Sequence, residues 1–157
     1  MAKSYAQLSL PPQLALKMVD PVHGLGVILT TPLQSYTQLG PLLGESIQEK
    51  DIPDNFEMKH LWMVKNSDNS RTYISTANPE KSNWLRYLRP SPSRKERNLG
   101  VIEKGGLLYF ITLVDLYPSE ELLFWLDDAD LLWTKLRAEK SSNLISILKL
   151  MSAFLFV

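Results

Sequence analysis

Residues 82–90, Ser-Asn-Trp-Leu-Arg-Tyr-Leu-Arg-Pro, with their distant partner at residues 120–126, Glu-Glu-Leu-Leu-Phe-Trp-Leu, decide how the rest of the chain is read. A core that needs only hydrophobic volume takes Leu, Ile, Val and Phe. Here Trp84, Tyr87 and Trp125 are used instead, and each carries a polar atom that must find a partner once buried. Asn83 and Arg86 beside them belong to residue types seldom buried without a reason. Taken alone, the two stretches describe an aromatic-rich, half-buried turn stapled by hydrogen bonds.

Working outward, Pro11 and Pro12 close a short leader, residues 1–10, and order is expected to begin with a strand over residues 14–18. Residues 20–26 carry turn chemistry and lead into Val27-Ile28-Leu29-Thr30, a β-branched apolar run of strand length. Gly24 and Gly26 either permit a tight turn or let backbone amides approach a ligand, and His23 beside them reads as a solvent-exposed loop residue. Two prolines and two glycines make residues 31–44 a turn with short strands. The polar, mixed residues 45–56 read as a variable surface loop. Residues 61–64 and 72–75 are strand-like and are joined by an Asn-, Asp- and Ser-rich turn, so a hairpin is expected, with Trp62 and Tyr73 meeting across it.

Residues 82–90 then form a helical turn or loop that Pro90 and Pro92 end. Arg86, Arg89, Arg94, Lys95 and Arg97 make a basic run of the kind that suits a phosphate-rich or acidic partner, although a charged loop face is most often simply solvated. Residues 99–103 and 107–113 flank Lys104-Gly105-Gly106, where paired glycines allow positive φ at both turn positions. These two strands are expected to be the most buried. Residues 117–120 turn into a last strand at 122–125. Asp127 or Asp128 then offers a cap for an amphipathic helix through Ala129, Leu132, Trp133 and Leu136, ending near Lys140. The tail, residues 141–157, is apolar but falls short of the about 20 residues a membrane span needs, and Lys149 interrupts it.

Composition bounds the function. At 157 residues with 45% hydrophobic content and 22% charge, the chain reads as one domain with a real core. Lys plus Arg and Asp plus Glu both number 17, so no global field draws it to nucleic acid or an anionic membrane. With no cysteine and only His23 and His60, neither a disulfide nor a Cys-ligated zinc site can form. The amino terminus lacks the apolar core of a signal peptide.

The order Gly24-Leu25-Gly26-Val27, Gly40-Pro41-Leu42-Leu43-Gly44-Glu45, Asn83-Trp84-Leu85-Arg86-Tyr87, Asn98-Leu99, Tyr109 and Glu121-Leu122-Leu123-x-Trp125 resembles the PR domain, the SET-related module of PRDM-type zinc-finger regulators, over residues 10–130. The resemblance implies a mainly β fold with short helices, a SET-like (β-clip) arrangement of several small sheets filling residues 11–140. It implies a nuclear transcription or chromatin regulator, with chromatin-associated proteins or histone tails as partners. It also implies S-adenosylmethionine as cofactor, bound by Gly24, Leu25, Gly26, Asn83 and Trp84, with Tyr73, Tyr109 and Trp125 lining a lysine channel. Since such regulators continue into zinc fingers, the tail reads as a truncated or alternative terminus.

Two functions follow from the resemblance: a protein-interaction domain whose methyltransferase activity is weak or lost, and a protein-lysine methyltransferase. The second has a stiff requirement. A lysine with a reference pKa of about 10.4 costs about 4.6 kcal/mol to present as a neutral amine at pH 7. The tyrosine that active relatives place directly after Glu-Leu-Leu-x-Trp is Leu126 here. Removing one well-placed catalytic hydrogen-bond donor costs about 2.7–4 kcal/mol. Tyr109, Tyr87 or Tyr73 would have to substitute, and the interaction domain is the favoured reading. Because two histidines cannot complete a four-ligand zinc site without carboxylates, EDTA is expected to leave the melting temperature unchanged; a fall that zinc restores would reveal a metal site.

Overall fold

The computed structural model describes residues 2–22, 24–66 and 68–126. His23, and the helix and apolar tail expected past residue 126, lie outside them. The strands, in chain order, are β1 Leu14–Asp20, β2 Gly24–Leu29, β3 Gln38–Leu39, β4 Glu45–Ile47, β5 Leu61–Lys65, β6 Arg71–Ser75, β7 Arg89–Pro90, β8 Leu99–Lys104, β9 Leu107–Thr112 and β10 Leu123–Phe124. They form three small sheets: β1-β2, β4-β6-β5 and β3-β9-β8-β10-β7. The expected mainly β fold of several sheets is the one found.

Order begins earlier than the first strand. Ser4 caps the short helix α1, Tyr5–Leu8, through a reciprocal box with Gln7. Ala6 is buried and its N–H donates to Pro79 O, while Ser9 Oγ accepts from Trp84 N at 2.9 Å. The leader is thereby docked under residues 84–87. The β1–β2 hairpin also extends further than the glycines suggested, pairing Leu14 with Leu29 and Asp20 with Gly24 around a bulge at Met18/Asp20. Gly24 supplies the positive φ of 75° that the turn requires.

The β5–β6 hairpin forms as expected, but its register pairs Trp62 with Ile74 and Met63 with Tyr73. Successive side chains point to opposite faces of a sheet, so Trp62 and Tyr73 part company. Trp62 enters the main core, edge-on to Phe110 at 5.6 Å and tilted on Phe124 at 5.1 Å. Tyr73 joins Leu61 and Met63 in a second cluster, covered by Ile47, Ile52, Phe56 and Met58. Residues 45–56 are therefore not merely a surface loop: β4 pairs with β6, and the segment's apolar residues roof the sheet's second face. That roof buries β5 on both faces from Leu61 to Val64. β9 instead alternates buried and partly exposed residues, so β5, and not the β8–β9 hairpin, is the most buried strand. The β8–β9 turn itself is as the glycines dictate, with φ of 61° at Gly105 and 81° at Gly106.

β10 runs parallel to both of its neighbours, β7 and β8. Because β7 and β8 lie on either side of it, the connector 91–98 has to cross over β10. Ser91 N donates to Phe124 O at 2.7 Å and Asn98 N to Leu123 O at 3.0 Å. The Asn98 side chain completes the clasp, donating to Glu121 O and accepting from Leu123 N, each at 2.8 Å. This passage seats Phe124 against Trp62 and Phe110 at the centre of the main core. Phe124→Ala should therefore cost about 3–5 kcal/mol, read as a lowered urea midpoint with little change in slope; a loss under about 1 kcal/mol would show the crossing to be peripheral.

Candidate functional site

An open cleft of about 740 Å³ lies beside the crossing, with Gly24 and Leu25 of the β1–β2 turn on one side and residues 86–92 on the other. Its size falls in the range of about 300–1,000 Å³ typical of ligand clefts. Residues 84–87 form a single 3₁₀ turn, with Arg86 N donating to Asn83 O and Leu88 N to Leu85 O, both at 3.1 Å. Trp84 and Leu85 sink into the core and pin the turn, which leaves Arg86 and Tyr87 facing the cleft. Arg86 is held from behind, its Nε donating to Thr76 O at 2.8 Å and its Nη2 to Ala77 O at 3.3 Å.

Arg89 makes a bidentate pair with Glu121, Nε to Oε2 at 2.7 Å and Nη2 to Oε1 at 2.8 Å. The two side chains are 25% and 17% exposed, dry enough for the fork geometry to count. Glu121 Oε2 occupies the place where a side chain on residue 26 would begin. Gly26 is thus bare because an ion pair of the chain itself fills that space.

Of the residues the resemblance assigns to the cofactor, Gly24 and Leu25 line the cleft. Gly26 lies against Glu121. Asn83 spends its side chain on the 40–43 segment, donating to Pro41 O at 2.9 Å and accepting from Leu43 N at 3.2 Å, and Trp84 is a core residue. Of the channel residues, Tyr73 sits in the second cluster and Trp125 in the main core. Tyr109 stands on the face of β9 opposite the buried Leu108 and Phe110, its ring 5.6 Å from Lys104 Nζ. Leu126, where the tyrosine is missing, is 1% exposed and packed into the main core. Sequence reasoning names Tyr87 only as a substitute hydroxyl and Arg89 only within the basic run, and it does not single out Ser91, yet all three line the cleft; Glu121, known only from the motif order, holds Arg89 beside it. No cluster of His, Cys, Asp and Glu able to hold a metal exists among the described residues.

Small sheets, a last strand clasped between two others, and a cleft beside it define a SET-type domain. The chain superposes on the methyltransferase domain of human PR domain-containing protein 2 with a TM-score of 0.65 and 31% sequence identity, covering 77% of this chain and 81% of that one. Residues 14–137 match the family described as PR domain zinc finger protein 2, PR domain, and the chain belongs to the PR domain family. Rat PR domain zinc finger protein 4 (Rattus norvegicus) is 30% identical over 125 residues, covering 78% of this chain. The histone-lysine N-methyltransferase set-17 of Caenorhabditis elegans is 29% identical over 123 residues, again 78% of this chain. The chain spans 16% of the length of the first and 43% of the second.

The site geometry makes Gly26 a test of packing. Gly26→Ala should destabilise the fold by about 1–3 kcal/mol by forcing the Arg89–Glu121 pair aside. In combination with Glu121→Ala the two losses should be clearly less than additive. Additive losses in that double-mutant cycle would mean the glycine is needed for another reason.

Proposed function

We propose that this PR domain acts in the nucleus as a protein-interaction module of a transcription or chromatin regulator, with lysine methyl transfer weak or lost. The carrying observation is Leu126: the position implied for the catalytic hydroxyl is an aliphatic side chain 1% exposed in the main core. Tyr73 lies in the second cluster and Tyr109 beside Lys104, and neither is among the residues lining the cleft. The alternative, an S-adenosylmethionine-dependent lysine methyltransferase, would have to rely on Tyr87, the tyrosine that lines the cleft.

S-adenosylmethionine carries a positive sulfonium and, at its methionine end, an ammonium and a carboxylate. The cleft is large enough for it and Gly24 leaves backbone open. Among the described lining residues Arg86 suits the carboxylate and Asp20 the ammonium, while Glu121 is committed to Arg89. These residues fit the cofactor's methionine end, and the hydroxyl implied for transfer is what the chain lacks. Partners of chromatin-associated type follow from the family relationship, since the relatives bear the names of zinc-finger regulators and a histone-lysine methyltransferase.

The test is methyl transfer to histone peptides alongside melting with the cofactor. A ligand at 100 times its dissociation constant stabilises by about 2.7 kcal/mol; the expected outcome is no transfer to any peptide, even where the cofactor raises the melting temperature. Leu126→Tyr should overpack the core, costing about 1–3 kcal/mol, without creating activity. Robust methylation of a lysine peptide by the unaltered protein would overturn the interaction-only reading.

A further inference from the structure

The outer edge of β1 carries a row of backbone groups that the fold leaves open. β1 and β2 form a sheet of their own. The far edge of β2 is occupied, with Leu122 N donating to Val27 O at 2.9 Å and Leu29 N to Glu120 O at 3.0 Å. Among the described residues, no strand pairs with the far edge of β1.

The register fixes which groups point there. The N–H and C=O of one strand residue point the same way, and successive residues alternate. Val27 and Leu29 turn toward residues 120–122, so Gly26 and Ile28 turn toward β1, and their partners Lys17 and Ala15 spend their backbone groups inside the sheet. Leu14, Leu16 and Met18 therefore face outward. Leu14 N donates to Pro11 O at 3.1 Å, which removes it from the row, and a bulge breaks the register just after Met18. What the row offers ahead of the bulge is the Leu14 carbonyl, both groups of Leu16 and the Met18 N–H. None of these meets a partner among the described residues.

That order is its own complement. A second copy laid antiparallel about Leu16 exchanges both Leu16 bonds at the centre, and at each end a Met18 N–H meets a Leu14 carbonyl. We propose that β1 is a self-association edge, through which two copies of this chain join into one sheet across a two-fold axis at Leu16. An unpaired strand edge is a template for a further strand, and using the same edge on both copies closes the assembly at a dimer. The side chains agree with the register. Met18, 59% exposed, comes opposite Leu14 of the second copy, on the face where Leu14 and Leu16 already pack on the core. Lys17, exposed on the other face, stands opposite Ala15 and not opposite its own kind, so no like charges are directly paired. An unrelated strand would have to reproduce this order of donors and acceptors, whereas a second copy carries it by construction. Water satisfies the same groups in the monomer, so each bond gains little and the dimer is of the weak, small-interface kind.

Sedimentation equilibrium and amide exchange on the full chain test this together. The mass should rise from one copy toward two over the micromolar-to-millimolar range. The Leu16 and Met18 amides should exchange freely in dilute protein and gain protection as concentration rises, whereas those of Ala15 and Lys17 should be protected throughout. Met18→Pro removes an outward N–H that no bond within the chain uses, a change an edge strand tolerates, and should weaken association at least about tenfold. Met18→Asp, on an exposed side chain, should weaken it without altering the backbone, and both variants should leave the melting temperature of dilute protein nearly unchanged. A single-copy mass at every concentration, exchange at Leu16 and Met18 indifferent to concentration, or association that survives both variants would each overturn the proposal. None of these outcomes bears on methyl transfer, so the reading of the cleft stands or falls separately.

Discussion

The passage of β10 between β7 and β8 is the constraint on which the rest of the structure depends. A strand inserted in parallel between two strands of one connected segment needs anchoring at both ends, because no tight turn sets its register. Glu121 anchors the entry by accepting both arms of Arg89, and Asn98 fixes the register by bonding Glu121 O and Leu123 N. The same entry stitches the first sheet to the fold, with Leu29 N donating to Glu120 O and Leu122 N to Val27 O. Removing one partner of a partly buried ion pair leaves the other charge short of its best partner, so the clasp depends on both.

Behind the clasp the core is organised by aromatic packing. Phe124 from β10, Phe110 from β9 and Trp62 from β5 meet within 5.8 Å of one another, so all three come together only when the separate sheets have docked. Asn83 extends the framework by bracing the 40–43 segment. The 3₁₀ turn at 84–87 hangs from this framework, which is why Arg86 and Tyr87 are presented to the cleft in one arrangement.

Membership of the PR domain family establishes the scaffold, but chemistry belongs to the particular side chains placed on it. Here the scaffold is intact, and at the position where the family resemblance implies a hydroxyl the chain has Leu126, packed in the main core.

Some of this was written locally in the chain. Gly105-Gly106 determined its hairpin because both residues take positive φ. The strand-like runs at 61–64 and 72–75 determined theirs, and the order of short motifs determined the fold class. The rest was decided only in three dimensions. β4, Glu-Ser-Ile, is too short to announce itself and becomes a strand because β6 offers it an edge. Trp62 and Tyr73 share a hairpin, but a one-position difference in register sends them into different cores. Gly26 reads either as a tight-turn residue or as an approach for a ligand, and only the fold sets Glu121 against it. Local propensity reports the backbone a residue prefers, whereas which charge meets which, and which face is roofed, depends on segments brought together from far along the chain; no single stretch contains that information.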